Sequence, residues 1–142
     1  MKRKLLSLFA SLALLGMFAL PAAADQVHKV VIQVSTNDAK TQTIALNNAA
    51  NLQKAFGMDN VKVEVVAYGP GLSLLTAKSP MAERVSSLAI QDIRFSACHN
   101  TMEKVKRKTG HLPKLAAGVK VVPAGVQRIV ELEEQGYSYV RP

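Results

Sequence analysis

Apolar positions along this chain fall into three patterns, and each predicts a different kind of element. Short runs dense in β-branched residues occupy residues 27–34 and 61–68, the second reading VKVEVVAY. Such runs are expected of strands buried on both faces. Residues 93–97, 119–122 and 137–140 are shorter runs of the same kind. The second pattern has helical spacing. Ala45, Ala49, Leu52 and Phe56 mark one face of a helix over residues 41–56, with Gly57 as its stop. Residues 35–38 before it are a polar break with capping side chains. Met81, Val85 and Leu88 share a face after Ser79-Pro80, a cap followed by proline at the first helical position. Residues 100–108 read as a short helix, with Asn100 and Glu103 spaced as a capping box. Val126, Ile129 and Val130 mark a last helix that ends near Gly136.

Strands that alternate with helices predict an α/β domain, a parallel sheet carrying helices on both faces. In such folds ligands bind just beyond the carboxyl ends of the strands. That rule selects the loops at residues 36–40, 69–71 and 98–101. The candidate pocket residues are therefore Asn37, Asp38, Gly69, Pro70, Gly71, His99, Asn100 and Thr101.

The third pattern is a single long apolar run at residues 5–20. Lys2-Arg3-Lys4 precedes it and Pro21-Ala22-Ala23-Ala24 follows. A basic head, an apolar middle and a small-x-small site (Ala22 and Ala24) are the pattern of a secretory signal peptide. Residues 1–24 are expected to be removed before Asp25, leaving residues 25–142 as one domain. The run is shorter than the roughly 20 apolar residues of a spanning helix, so no stable membrane anchor is expected. Residue 25 is not cysteine, which argues against a lipid anchor. The expected location is the periplasm or the exterior.

Charge changes the picture little. Three of the 18 basic residues and none of the ten acidic ones lie in the export segment, which leaves 15 against ten, a net charge of +5. So modest a charge on an exported chain, with no Trp and few aromatic residues, points away from nucleic acid.

Cysteine usage changes it more. Cys98 is the sole cysteine, and an exported chain meets an oxidising compartment. It has no partner in its own chain, so it is buried and inert, joined to another molecule, or kept reactive. Its place, where a strand ends and a helix begins, favours the thiolate, because free amides and the positive end of the helix dipole lie there. A thiolate attacks sulfur or binds a soft metal. His99 and Met102 are close enough in sequence to join Cys98 in a Cu(I)-type site, although a loop hydrogen bond for His99 and core packing for Met102 are the plainer readings. Lys104, Lys106, Arg107 and Lys108 are dense enough to attract an anion, although a solvated helix face is the plainer reading. No Ser-His-Asp pattern, Walker loop, GxGxxG fingerprint or CxxC pair is present, so no familiar metabolic enzyme is indicated.

The stretches VVIQVSTNDAKTQTIALNNAANL, VEVVAYGPGLSLL, IRFSACHNTM and VVPAGVQRIVELEEQGYSYVRP resemble, in order, the DsrE/DsrF-like sulfur-relay proteins, in particular their small exported members. The cysteine in FSACHNTM carries most of the likeness. The resemblance implies a three-layer α/β/α domain with a five-stranded, mostly parallel sheet, commonly assembled as trimers or hexamers. It implies that Cys98 accepts sulfane sulfur as a persulfide and passes it to a partner protein. The chain would then be a carrier more than a turnover enzyme, with no bound cofactor. Two departures stand out. The best-understood relays are cytoplasmic, and His99 stands where many relatives have a small residue.

Overall fold

Continuous runs of valine and isoleucine form strands because their branched side chains pack well on a pleated surface that is covered on both sides. The computed structural model describes residues 27–142. The predicted export segment at residues 1–24 lies outside them. The described chain runs β1 (His28–Val34), α1 (Ala39–Phe56), β2 (Val61–Ala67), α2 (Ala82–Ile90), β3 (Arg94–Cys98), α3 (His99–Thr109), β4 (Lys120–Val122), α4 (Gly125–Glu134) and β5 (Ser138–Val140). A 3₁₀ turn over Gly69–Leu75 links β2 towards α2. Among the described residues no helix is long and apolar enough to cross a membrane.

All four strand pairings are parallel, in the order β4-β3-β2-β1-β5. From β1 to β4 each connection steps to the next strand in one direction. The last connection returns across the sheet to the far edge, beside β1. Parallel crossovers are right-handed, so reversing direction puts the connecting helix on the opposite face. Hence α1, α2 and α3 share one face and α4 alone covers the other, which makes the expected three layers unequal. The first face holds the main core, including Ile32, Leu46, Val65, Leu74, Val85, Phe95 and Met102. Under α4 the buried apolar set is only Val31, Val66, Ile129 and Leu132.

Several local expectations shift. Phe56 is 40 % exposed and stacks on His28, with ring centroids 3.9 Å apart, instead of entering the core with Ala45 and Ala49. Ser79 caps a tight turn before α2: its hydroxyl accepts from the Met81 N–H at 3.2 Å, and Pro80 lies outside the helix. The expected capping box at Asn100 does not form, because α3 starts at His99 with Cys98 as its N-cap. Glu103 instead lies 3.6 Å from the His99 ring and 3.9 Å from the Lys106 ammonium. On α4 the buried face is Gly125, Ile129 and Leu132, whereas Val126 and Val130 are exposed.

Candidate functional site

The reversal of strand order fixes where two helices meet. β3 leaves the sheet towards α3 on one face, and its neighbour β4 leaves towards α4 on the other. Strands whose connections part in this way open a crevice at their carboxyl ends, the topological switch point of an α/β sheet. Cys98 is the last residue of β3 and pairs with Val122, the last residue of β4. It therefore sits in that crevice, between the N-termini of α3 and α4.

Its side chain is buried, with 4 % exposure, and it is a free thiol. As N-cap of α3 it makes no direct side-chain capping bond. Burial alone would push the thiol up. The Thr101 hydroxyl, and the backbone N–H groups of Thr101, Gly125 and Asn100, act in the other direction and outweigh it, so the thiol is held below its ordinary value. Thr101 is itself held in place: its hydroxyl oxygen accepts from the Gly69 N–H at 2.9 Å, which leaves its proton free to face the sulfur. The Gly-Pro-Gly turn thus orients a group that tunes the thiol.

That turn is built for close approach. Gly69 has φ +55°, a left-handed conformation that favours glycine. A Cβ on Gly71 would land on the Val34 carbonyl at the end of β1. Beside the turn lies an open cleft of about 510 Å³, lined by Tyr68, Gly69, Pro70, Asn100, Thr101, Lys104, Val105 and Lys108. Cys98 does not itself line it, although Asn100 and Thr101, next along the chain, do.

The structure gathers Gly69, Pro70, Asn100 and Thr101 on this cleft. Gly71 is buried behind the turn and serves packing. Asn37 and Asp38 do not line the cleft; Asp38 caps α1, and both hydrogen bonds to its carboxylate come from Thr41. The His99 ring is half exposed and turned to Glu103. Met102 is buried in the core of the α1 face. Among the described residues no group of three or more His, Cys, Asp or Glu side chains is placed to hold a metal ion.

Of the basic run on α3, Lys104 and Lys108 are exposed, one helical turn apart, and put two cations on the cleft. One feature escaped the sequence reading: Glu64, 1 % exposed in the middle of β2. A lone carboxylate among valines in a strand buried on both faces signals a buried partner. That partner is Arg128 of α4, whose Nε and Nη2 donate to Glu64 at 2.7 and 2.8 Å. This pairing raises the basicity of the guanidinium.

The model of the DsrE/DsrF-like family matches residues 28–142. Among solved structures, the protein of unknown function MTH1491 from Methanobacterium thermoautotrophicum is 34 % identical with a TM-score of 0.72, and the match covers 81 % of this chain and 99 % of that one. The ychN protein from E. coli is 15 % identical with a TM-score of 0.61, covering 82 % and 99 %, a likeness of fold alone. No curated protein matches the chain at a significant level.

Proposed function

The chain belongs to the DsrE/DsrF-like family, and on that premise we propose that it is an exported sulfur carrier that accepts sulfane sulfur on Cys98. Family membership brings a sulfur-relay related role. The finer reading rests on one observation: the sole cysteine lies at the switch point with its thiol held below the ordinary value. The thiolate is the nucleophile in sulfur exchange.

The step is a displacement at sulfur. The Cys98 thiolate attacks the terminal sulfur of an inorganic polysulfide, a new S–S bond forms, and the polysulfide leaves one sulfur shorter with its two negative charges. Cys98 becomes a persulfide anion. An acceptor thiolate then takes the outer sulfur and restores the Cys98 thiolate. No net oxidation occurs and no resident cofactor takes part. Low exposure of Cys98 favours a small donor, and Lys104 and Lys108 favour an anionic one, since no carboxylate lines the cleft.

Export rests on the signal-peptide pattern of residues 1–24, and the mature chain acts in the periplasm or outside the cell. N-terminal sequencing of the exported protein should start at Asp25; protein found only in the cytoplasm, starting at Met1, would remove this part of the proposal. Self-association is supported by the exposed Val126 and Val130 on α4. Light scattering on the wild type and on a Val126→Asp, Val130→Asp variant should show a smaller assembly in the variant.

The carrier reading itself is tested by intact mass. Incubation with polysulfide should add about 32 Da, one sulfur atom, to the wild type, removable by reductant and absent from Cys98→Ala. No addition to the wild type, or equal addition to both, would sink it.

A further inference from the structure

One polar cluster joins β2, β3 and α4 and takes no part in the sulfur exchange described above. Glu64, 1 % exposed, accepts from the Ser96 hydroxyl at 2.6 Å and from Arg128 Nε and Nη2 at 2.7 and 2.8 Å. Both ends of the cluster lead to the thiol. Ser96 precedes Cys98 by two residues in β3, which puts the two on the same face of the sheet. Arg128 follows Gly125 by three residues in α4, one turn from the N–H that acts on the sulfur.

The contact under α4 is otherwise thin. Four buried apolar residues, with Tyr68 and Tyr137 partly buried against them, make it up, and apolar packing alone has no direction. A bidentate arginine–carboxylate pair does have direction, and it fixes both the position and the rotation of the helix that carries it. The first turn of α4 is closely seated as well: a Cβ on Gly125 would come 2.9 Å from Tyr68 Cβ and Cδ1. A small slide of α4 would therefore change what the sulfur meets.

We propose that Glu64, Ser96 and Arg128 are positioning residues for Cys98, locking the N-terminus of α4 at the switch point so that the Gly125 N–H stays on the sulfur. The proposal rests on the reading of Cys98 as the reacting thiol. None of the three need touch the sulfur or its donor. The other charged or titratable groups on the elements around the thiol are Lys62 on β2 and Tyr68 after it, Arg94 on β3, whose guanidinium lies 3.7 Å from Glu64, Lys120 on β4, His99, Glu103, Lys106, Arg107 and Lys108 on α3, and Glu131, Glu133 and Glu134 on α4. Lys104, also on α3, lines the cleft. All of these remain when Glu64 and Arg128 are removed together, and the net charge is unchanged.

The test is the rate of Cys98 alkylation by iodoacetamide against pH, on the mature exported protein. In Glu64→Met, Arg128→Met the buried pair becomes apolar at similar volume, a change that folded proteins commonly tolerate. The midpoint should move up by about half to one pH unit, while circular dichroism and a cooperative melt remain. Arg128→Lys keeps the charge and loses the two-pronged geometry, so its midpoint should fall between. A folded double variant with the wild-type midpoint would overturn the proposal. If the double variant does not fold, Arg128→Lys decides: a raised midpoint supports positioning and a wild-type midpoint overturns it. Alkylation needs no sulfur donor. No sulfur gained by the wild type, together with a raised midpoint in the variants, would sink the carrier reading and leave the positioning intact.

Discussion

Asp38 and Cys98 hold the same place in two strand–helix units of one sheet. Each is the N-cap of the helix that follows a parallel strand, α1 and α3 respectively. Each has a threonine three residues on, Thr41 or Thr101, and in each case that threonine helps to lower the acid's pKa. The outcomes differ because the surroundings differ. Asp38 is exposed, and one of its oxygens accepts from both the N–H and the hydroxyl of Thr41 at 2.7 Å. Its chemistry is consumed in starting α1. Cys98 is buried and makes no side-chain capping bond, its threonine is anchored by Gly69, and a second helix arrives at the sulfur from the other face. One local arrangement thus serves helix initiation at one strand end and lowers the pKa of a buried thiol at another. Burial and the arrival of α4 separate the two.

The largest expected effect comes from breaking what only the Cys98 junction has. Arg128→Met leaves the Glu64 carboxylate in the interior with the Ser96 hydroxyl at 2.6 Å and the largely exposed Arg94 guanidinium at 3.7 Å as its remaining partners. Losing one member of a buried ion pair costs about 3–5 kcal/mol. Denaturant unfolding should show a loss of that order. A loss below about 1 kcal/mol would mean that α4 is held by its apolar contacts alone, and the contrast with Asp38 would lose its main support.

Matched substitutions of the two threonines have a smaller effect and sharpen the contrast. Thr101→Val leaves the Gly69 N–H without its acceptor and the sulfur without its hydroxyl neighbour. The stability cost is about 1–3 kcal/mol, and alkylation of Cys98 at neutral pH should slow. Thr41→Val should leave that alkylation unchanged. The pH dependence has a definite sign. With the thiol lowered in the folded chain, the folded state binds fewer protons than the unfolded state between the folded value and the ordinary thiol range. Stability therefore rises with pH across that window and is lost as pH falls through the folded value. Thr101→Val should flatten the rise and Thr41→Val should not. Equal effects of the two substitutions on Cys98 would break the comparison.

How much of this could be read from the residues follows from which contacts are local. The strands and their order of appearance were legible, because a parallel strand covered on both faces must be a continuous apolar run. Cys98 was legible as a strand-end residue facing a helix. The start of α3 was not. Asn100 and Glu103 have capping-box spacing, but the Asn100 N–H is taken by the Pro123 carbonyl at 3.3 Å, a contact that exists only once β4 lies beside β3. The inward face of α4 was not legible either. Val126, Ile129 and Val130 form as good a stripe as Gly125, Ile129 and Leu132, and only the position of the sheet chooses between them. Glu64 and Arg128 are 64 residues apart, beyond any periodicity. Asn37 and Asp38 sit at a strand end as the general rule requires, yet that end lies away from the switch point and its polar groups are occupied locally.

That last point leads to the smallest expected effect, at Asp38 itself. Hydrogen bonds from Thr41, its hydroxyl first and its N–H second, hold the Asp38 carboxyl below the usual carboxylate range. The folded chain then binds fewer protons than the unfolded chain between the folded value and the ordinary value near about 4. The contribution is present in full above that ordinary value and is lost as pH falls through the folded one. Full exposure and salt keep it small. Asparagine caps a helix about as well as aspartate, so Asp38→Asn should preserve α1 while removing this part of the acid sensitivity. Stability measured by denaturant unfolding from neutral pH to about pH 3 should fall less steeply in the variant than in the wild type. Sulfur uptake and alkylation at Cys98 should not change. Identical acid slopes would show that the carboxylate does not act as the charged cap. A slowed Cys98 would show instead that the two junctions share one pocket, and that the division between a structural strand end and a chemical one is wrong.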